Sequence, residues 1–208
     1  MVALAALAVL ACLATAVPAS ARAPGVRLPP ASGVDPNRRA AALEPSSTIT
    51  FHASDAFGGF DGKAPIAAFS LELDPSRLSG ARGRVAVKSD AITTGNFLRD
   101  VNAARTVFDA ARYPEIVYQV TAVQADPASL PDGRTADVTV TGLLHMHGVE
   151  RSVVAHGRLT RSGDALEATL ALPVRLSDFG MTRPRLFTVV VDDVVQVRVH
   201  LLLHIASP

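Results

Sequence analysis

The sequence is poor in residues that several classes of binding site require. It has no Trp, two Tyr and 5% aromatic residues in all. The aromatic platform on which single-stranded nucleic acids stack is therefore not expected. Basic and acidic residues nearly balance, at 20 against 19, and no Lys/Arg run supplies the positive surface of a nucleic-acid binder. We expect no nucleic-acid partner.

Cysteine and long apolar runs are also scarce. The single cysteine, Cys12, lies in an apolar run from Leu4 to Leu13, which is shorter than the roughly 20 residues of a transmembrane helix. Residues 1–21 carry no charged side chain and end in Ala19-Ser20-Ala21, the small-x-small pattern of a signal peptidase site. We therefore expect a signal peptide at 1–21 and a periplasmic or secreted protein that does not span a membrane.

Cleavage after Ala21 would remove Cys12, so disulfides and thiol ligands are not expected in the mature chain. Lipid attachment at Cys12 is an alternative, because Val9-Leu10-Ala11-Cys12 is weakly similar to a lipoprotein box. Residues 22–46 are rich in Pro, Ala and Arg and are interpreted as an extended lead-in. Residues 47–208 form the predicted single domain.

Within this domain, apolar and polar residues alternate in short segments separated by turn residues. This pattern is typical of antiparallel strands with one solvated face. The apolar faces include Ile49/Phe51/Ala53, Phe69/Leu71/Leu73, Val85/Val87, Ile116/Tyr118/Val120/Ala122, Val138/Val140/Gly142/Leu144/Met146, Leu166/Ala168/Leu170/Leu172/Val174 and Val195/Val197/Val199/Leu201/Leu203/Ile205. About eight such strands favour a closed barrel or a sandwich. Lys88, Glu167 and Arg198 fall on the other faces, which indicates a polar exterior rather than a lipid-facing one.

Two segments interrupt the alternation. Residues 93–109 predict a loop with a short helical turn or two, and Tyr113-Pro114 precedes the next strand. Asp192-Asp193 predicts a turn or bulge before the last strand. Adjacent strand residues point to opposite faces, so this carboxylate pair is not a general acid/base couple. No Gly-x-Ser-x-Gly motif is present, and we expect the protein not to be an enzyme.

Four motifs, in this order and spacing, resemble the YceI-like family of polyisoprenoid-binding periplasmic proteins. They are Ser47–Phe51 with Gly59-Phe60; Asp90–Gly95 with Arg99-Asp100, Phe108-Asp109 and Tyr113–Ile116; Val140–Val149; and Ser177–Met181. The resemblance covers roughly residues 47–206. The chain departs from it at Val101–Ala104, where the family has a His-Leu pair, and at Val107, where it has an aromatic residue.

The resemblance implies an all-β fold, an eight-stranded antiparallel lipocalin-like barrel with a short helical segment. It further implies that an isoprenoid or other long-chain amphiphilic lipid binds in an elongated tunnel, without a cofactor. Arg99 and Asp100 are the candidate headgroup contacts. The expected cavity lining is Phe51, Phe69, Leu71, Val87, Phe97, Phe108, Ile116, Tyr118, Val140, Leu144, Met146, Ala155, Leu170 and Phe179.

Two alternatives compete with the lipid carrier. If Gly148 to Arg151 is a four-residue hairpin loop, His145, His147 and His156 share one exterior face, where three imidazoles suit a zinc enzyme. Otherwise the three histidines are solvated. The second alternative is an interaction protein with a filled barrel and no ligand. Self-association as a homodimer is left open by the sequence.

Overall fold

The computed structural model describes residues 37–56, 58–183, 185–186 and 189–206, with backbone alone at 185, 186 and 189. The predicted signal peptide at 1–21, Cys12 and the lead-in up to residue 36 lie outside the described residues. No helix within the described part is long and apolar enough to cross a bilayer.

The alternating segments form twelve strands among the described residues, joined by one short α-helix and a π-helical turn. The helical elements are α1 (Phe97–Asn102) and the π turn Ala103–Val107. The strands are β1 (Arg39–Leu43), β2 (Thr48–Ala53), β3 (Phe60–Lys63), β4 (Ile66–Leu73), β5 (Arg82–Lys88), β6 (Glu115–Asp126), β7 (Thr135–Met146), β8 (Val149–Ser162), β9 (Ala165–Arg175), β10 (Arg185–Leu186), β11 (Val189–Val190) and β12 (Val194–Ile205).

Eight of these strands close into an antiparallel barrel in the order β1-β4-β5-β6-β7-β8-β9-β12, and β12 pairs back to β1. This confirms the predicted fold class. β1 closes the ring through three residue pairs with β12 and two with β4. The hairpin of β2 and β3 extends the sheet beyond β12. β2 pairs with Val195–His200 of β12, next to the residues that pair with β1, and Phe51 lies opposite Val197.

Strand β1 lies inside the segment that we predict to be a lead-in. Ala41 pairs with Ile205 of β12, and Arg39 pairs with Leu73 of β4. The barrel therefore includes residues before position 47. The sequence pattern does not predict this five-residue strand. It is flanked by prolines, and its interior is Ala-rich with no β-branched residue.

A β-bulge in β6 reverses the predicted alternation. The pairing with β7 shifts register between Val120 and Ala122, so that Thr121 is the additional residue. Beyond it Ala122 is exposed on the outside, while Val123 lies in the lumen. The predicted inward position of Ala122 is therefore wrong, since one inserted residue moves every later side chain to the opposite face.

One end of the barrel is sealed by leucines from two loops. The 3-10 turn Leu78–Gly80 precedes β5, and its Leu78 amide donates to Ala128 O at 3.1 Å. In return Leu130 donates its amide to Pro75 O at 2.7 Å. The Leu78 and Leu130 side chains are almost completely buried, so this end is packed shut.

The opposite, helical end carries α1, the π turn and the 3-10 turn Leu176–Phe179. Asp193 holds that 3-10 turn: its carboxylate accepts from the Ser177 amide at 2.9 Å and from the Ser177 hydroxyl at 2.6 Å. These hydrogen bonds lower the pKa of Asp193 against the effect of its partial desolvation, with Arg175 assisting. The Asp192-Asp193 pair thus interrupts the chain between β11 and β12, as predicted.

Candidate functional site

An apolar cavity of about 480 Å³ fills the lumen between the sealed end and the helical end. This volume lies in the range of small-molecule binding sites. Its walls are the inward faces of the strands, where Val and Leu dominate. The barrel interior is therefore hollow, whereas the core of an ordinary domain is packed to crystal-like density.

The structure places most of the predicted lining residues on the cavity wall. These are Phe51, Phe69, Leu71, Val87, Phe108, Ile116, Tyr118, Val140, Leu144, Met146, Ala155 and Leu170. Phe108 follows the π turn. The others lie there because their strands alternate, with Ala155 facing in and His156 exposed outside. The long run of β12 from Val195 to Leu203 also contributes; its alternation marks it as lining, although it is absent from the predicted set.

Two predicted residues are not part of the cavity wall. Phe97 is 77% exposed at the start of α1, because the cap that begins the helix turns its first residues outward. Phe179 is 2% exposed, but it packs in the core at the helical end and does not line the cavity. Both residues lie in loops or helical turns, where the strand alternation of inward and outward side chains does not predict which way a side chain points.

Two aromatic rings lie against the wall because glycines face them. A Cβ at Gly142 would come within 2.7 Å of Cε1 of Tyr118, and a Cβ at Gly62 would overlap the Phe51 ring. Each ring therefore occupies the space that a side chain at the facing glycine position would fill. The large side chains line the lumen without crossing it.

Tyr118 supplies a hydroxyl inside this apolar wall. The hydroxyl donates to Val140 O at 3.0 Å and approaches Val153 O at 3.4 Å, so its proton is used within the barrel. Burial raises the pKa of Tyr118 to about 12. The group is neutral at physiological pH and presents mainly its ring to the lumen.

Most polar side chains of the cavity wall lie at the helical end, which we take as its mouth, whereas Ser70 and Arg84 lie farther along the barrel on β4 and β5. Arg99, Asp100 and Asn102 of α1 reach the cavity, together with Thr94 from the preceding loop. The Arg99 guanidinium lies 3.9 Å above the Phe60 ring and donates from Nε to Thr94 Oγ1 at 2.7 Å. The predicted headgroup pair is thus located where the apolar lumen meets solvent.

Asp100 is fixed by hydrogen bonds from two threonines. It accepts from Thr93 Oγ1 at 2.7 Å, from the Thr94 amide at 2.8 Å and from Thr94 Oγ1 at 2.6 Å. Desolvation alone would raise its pKa, but these bonds and the neighbouring Arg99 charge outweigh it and lower the pKa of Asp100. Asp100 is therefore an anchor of the loop as well as a mouth residue.

The three histidines do not form the cluster that a four-residue loop would give. Met146 pairs with Val149, so the hairpin loop is only His147-Gly148, and both residues have positive φ. His145 is exposed opposite Glu150, whereas His156 lies opposite Thr139, roughly 20 Å away along β7 at about 3.4 Å per residue. Among the described residues, no group of three metal-ligating side chains comes together.

His147 has a local structural role instead. Its ring lies 4.6 Å from the Tyr113 ring, and its Nδ1 is 3.3 Å from Phe179 O. The turn therefore connects β7 to the elements that cover the helical end. The sequence cannot show this contact, because Tyr113 and Phe179 are both more than 30 positions away.

Comparison with known proteins agrees with this architecture. The model of the YceI-like domain matches residues 42–203. Among curated proteins, none matches the chain. The chain is similar in fold to BcnA of Burkholderia cenocepacia, with a TM-score of 0.65, 19% identity and coverage of 77% of this chain and 99% of that one.

Two further solved structures share the fold. One is a polyisoprenoid binding domain from Saccharophagus degradans implicated in plant cell wall breakdown, with a TM-score of 0.60, 15% identity and coverage of 82% of this chain and 99% of that one. The other is a mutant Campylobacter jejuni YceI protein with a monobromobimane guest, with a TM-score of 0.52, 17% identity and coverage of 71% and 85%. With the family model spanning most of its length, this chain belongs to the YceI-like domain family.

Proposed function

We propose that this protein binds a long-chain isoprenoid-type lipid in its barrel and sequesters or carries it in the cell envelope. The observation that carries the proposal is the hollow, almost wholly apolar lumen, sealed at one end and polar at its mouth. The Saccharophagus degradans structure, a polyisoprenoid binding domain of the same fold, supports the same ligand class. The apolar leader at 1–21 supports an exported, periplasmic or secreted protein.

The energetics suit a flexible hydrocarbon chain. Each buried methylene contributes about 0.8 kcal/mol, so a tail of ten carbons offers roughly 8 kcal/mol before the costs of ordering the ligand. Inside the lumen, the Tyr118 hydroxyl is already bonded to Val140 O and does not require a polar ligand atom. A headgroup would stay at the mouth, beside Arg99 and Asp100.

A binding role without catalysis fits this site better than a hydrolytic one. Of the two carboxylates that the described structure brings to the mouth, Asp100 is bonded to two threonines and Asp55 lies on the β2–β3 loop. The exterior zinc site requires three clustered histidines, and the two-residue turn at His147-Gly148 separates them. We therefore favour a carrier over an enzyme.

Native mass spectrometry of protein purified without detergent tests the proposal. We expect a mass adduct that organic extraction removes, that analysis identifies as a prenyl lipid, and that returns when the emptied protein is offered one. Protein that purifies bare and takes up no prenyl lipid would instead support a ligand-free interaction protein. A bound zinc ion would support the exterior histidine site.

A further inference from the structure

Two adjacent apolar side chains are exposed at the cavity mouth. Phe97 and Leu98 are each 77% exposed, and they are the exposed large hydrophobic residues of the described part of the chain. Single apolar residues on a surface are common. Here, however, the two occur together on the helix that also contributes Arg99, Asp100 and Asn102 to the cavity lining.

The turn that carries this pair is held firmly. Asn96 begins α1 by accepting the Arg99 amide at 3.1 Å through its side chain. Arg99 and Asp100, which follow the pair, both bond to Thr94. Phe97 and Leu98 therefore project from an anchored helix start.

We propose that Phe97 and Leu98 insert into the surface of a lipid bilayer and place the cavity mouth against the membrane from which the ligand is taken. This inference rests on the proposed function. A prenyl chain that crosses water exposes every methylene, whereas a mouth seated in the interface shortens that path. Exposed aromatic and leucine side chains suit the boundary between headgroups and acyl chains.

The size of the pair favours a membrane over a second copy of the chain. An aromatic residue buries about 150–250 Å², so two side chains fall well short of the roughly 800 Å² per partner of a stable protein interface. A weak, reversible anchor is what a carrier needs, because it must leave the membrane after loading.

The charges of the segment that carries the pair indicate which lipids it should contact. The segment 89–114 carries three acidic and three basic residues: Asp90, Asp100 and Asp109 against Arg99, Arg105 and Arg112. Such a balanced segment gains little from an anionic surface. We therefore expect docking to be apolar in origin, to proceed on zwitterionic vesicles and to change little with added salt.

The test measures transfer of a fluorescent prenyl lipid from phosphatidylcholine vesicles to the emptied protein, together with flotation of the protein on those vesicles. The Phe97→Ser/Leu98→Ser variant should transfer the lipid at least about tenfold more slowly and float less. Its equilibrium affinity for a short prenyl alcohol that dissolves as a monomer should stay within about twofold of the parent protein. The Phe97→Leu/Leu98→Phe variant keeps both side chains apolar and should behave as the parent.

The outcomes separate this inference from the proposed function. Failure of the parent protein to bind the short prenyl alcohol would overturn both. Normal binding with equal transfer rates in the parent and the serine variant would overturn the membrane contact alone. Sedimentation that shows a dimer in the parent and a monomer in the serine variant, without flotation of either, would assign the pair to self-association instead.

Discussion

The Tyr118 ring occupies the space that a side chain at Gly142 would fill. A Cβ added at position 142 would lie 2.7 Å from Tyr118 Cε1 and 2.7 Å from the Gln119 carbonyl oxygen. The glycine lets the ring lie along β7, where its hydroxyl reaches Val140 O. The open width of the lumen therefore depends on a residue without a side chain.

Gly142→Ala should push the Tyr118 ring toward the lumen. We expect a loss of about 1–3 kcal/mol in the free energy of unfolding, as for overpacking of a core, and weaker binding of a prenyl chain. Adding Tyr118→Leu to this variant should restore part of the stability and part of the affinity for the prenyl chain. The recovery is partial because the clash with Gln119 O remains. Urea unfolding and lipid titration of the two single variants and the double variant measure the coupling. Strictly additive effects would contradict the contact.

Tyr118 should make stability depend on alkaline pH. Because its pKa is about 12 in the folded chain against 10 in the unfolded chain, the unfolded state loses the proton first. The stabilisation is complete below pH 10 and is lost as the pH rises through 12. Between pH 9 and 11, the urea midpoint of the parent should fall more than that of Tyr118→Phe. Equal decreases of the urea midpoint in the parent and in Tyr118→Phe would show that the hydroxyl is solvated.

Asp100 should control the order of the mouth loop. Asp100→Asn replaces a carboxylate that accepts from Thr93 and Thr94. We expect faster hydrogen exchange at the Thr94 amide, which donates to this carboxylate at 2.8 Å, and little change in the barrel strands. Since the pKa of Asp100 is lowered from its ordinary value of 3.8, protection in the parent should persist as the pH falls to that value and be lost only at lower pH, where the carboxylate protonates. An unchanged exchange rate in Asp100→Asn would show that the loop is held by other contacts.

The histidines should not be needed for lipid binding. His145→Ala should change neither stability nor affinity, because the ring is exposed. His147→Ala should lose about 1 kcal/mol, since the contacts of the ring with Tyr113 and Phe179 O disappear. Lipid titration and zinc analysis of both variants check this. Loss of lipid or of a bound metal in His145→Ala would support the alternative of an exterior zinc site.

Alternation along a strand, which we call residue parity, predicts which side chains face the lumen where the strands are regular. Ala155 inside and His156 outside follow from β8 alone, and the β12 face follows from its Val and Leu run. Parity fails at Thr121, because a bulge depends on how two backbones meet rather than on residue type. It also fails for Phe97 and Phe179, which lie in helical turns whose direction is set by capping hydrogen bonds. The sequence does not indicate the two-residue hairpin at His147-Gly148, because such a loop with positive φ usually has Asn or Asp at its first position.

The central claim is that the barrel is hollow and that the lipid occupies the hollow. Ala155 lies on the cavity wall, and its neighbour His156 lies outside with Nδ1 3.1 Å from Thr139 Oγ1. The pair therefore allows a phenylalanine to be added on either side of one strand. His156→Phe is the matched control and should change neither lipid affinity nor the stability of the empty barrel by more than about 1 kcal/mol.

The most direct measurement compares Ala155→Phe with that control, by thermal unfolding of delipidated protein and by titration with a prenyl lipid. A ring added to a packed core costs about 1–3 kcal/mol, but a ring added to an open lumen meets free space. We predict that Ala155→Phe lowers Tm by no more than about 4 °C, or about 1 kcal/mol for a domain of this size, and weakens lipid binding at least about tenfold. A large fall in Tm for the empty protein, or an unchanged lipid affinity, would contradict the account.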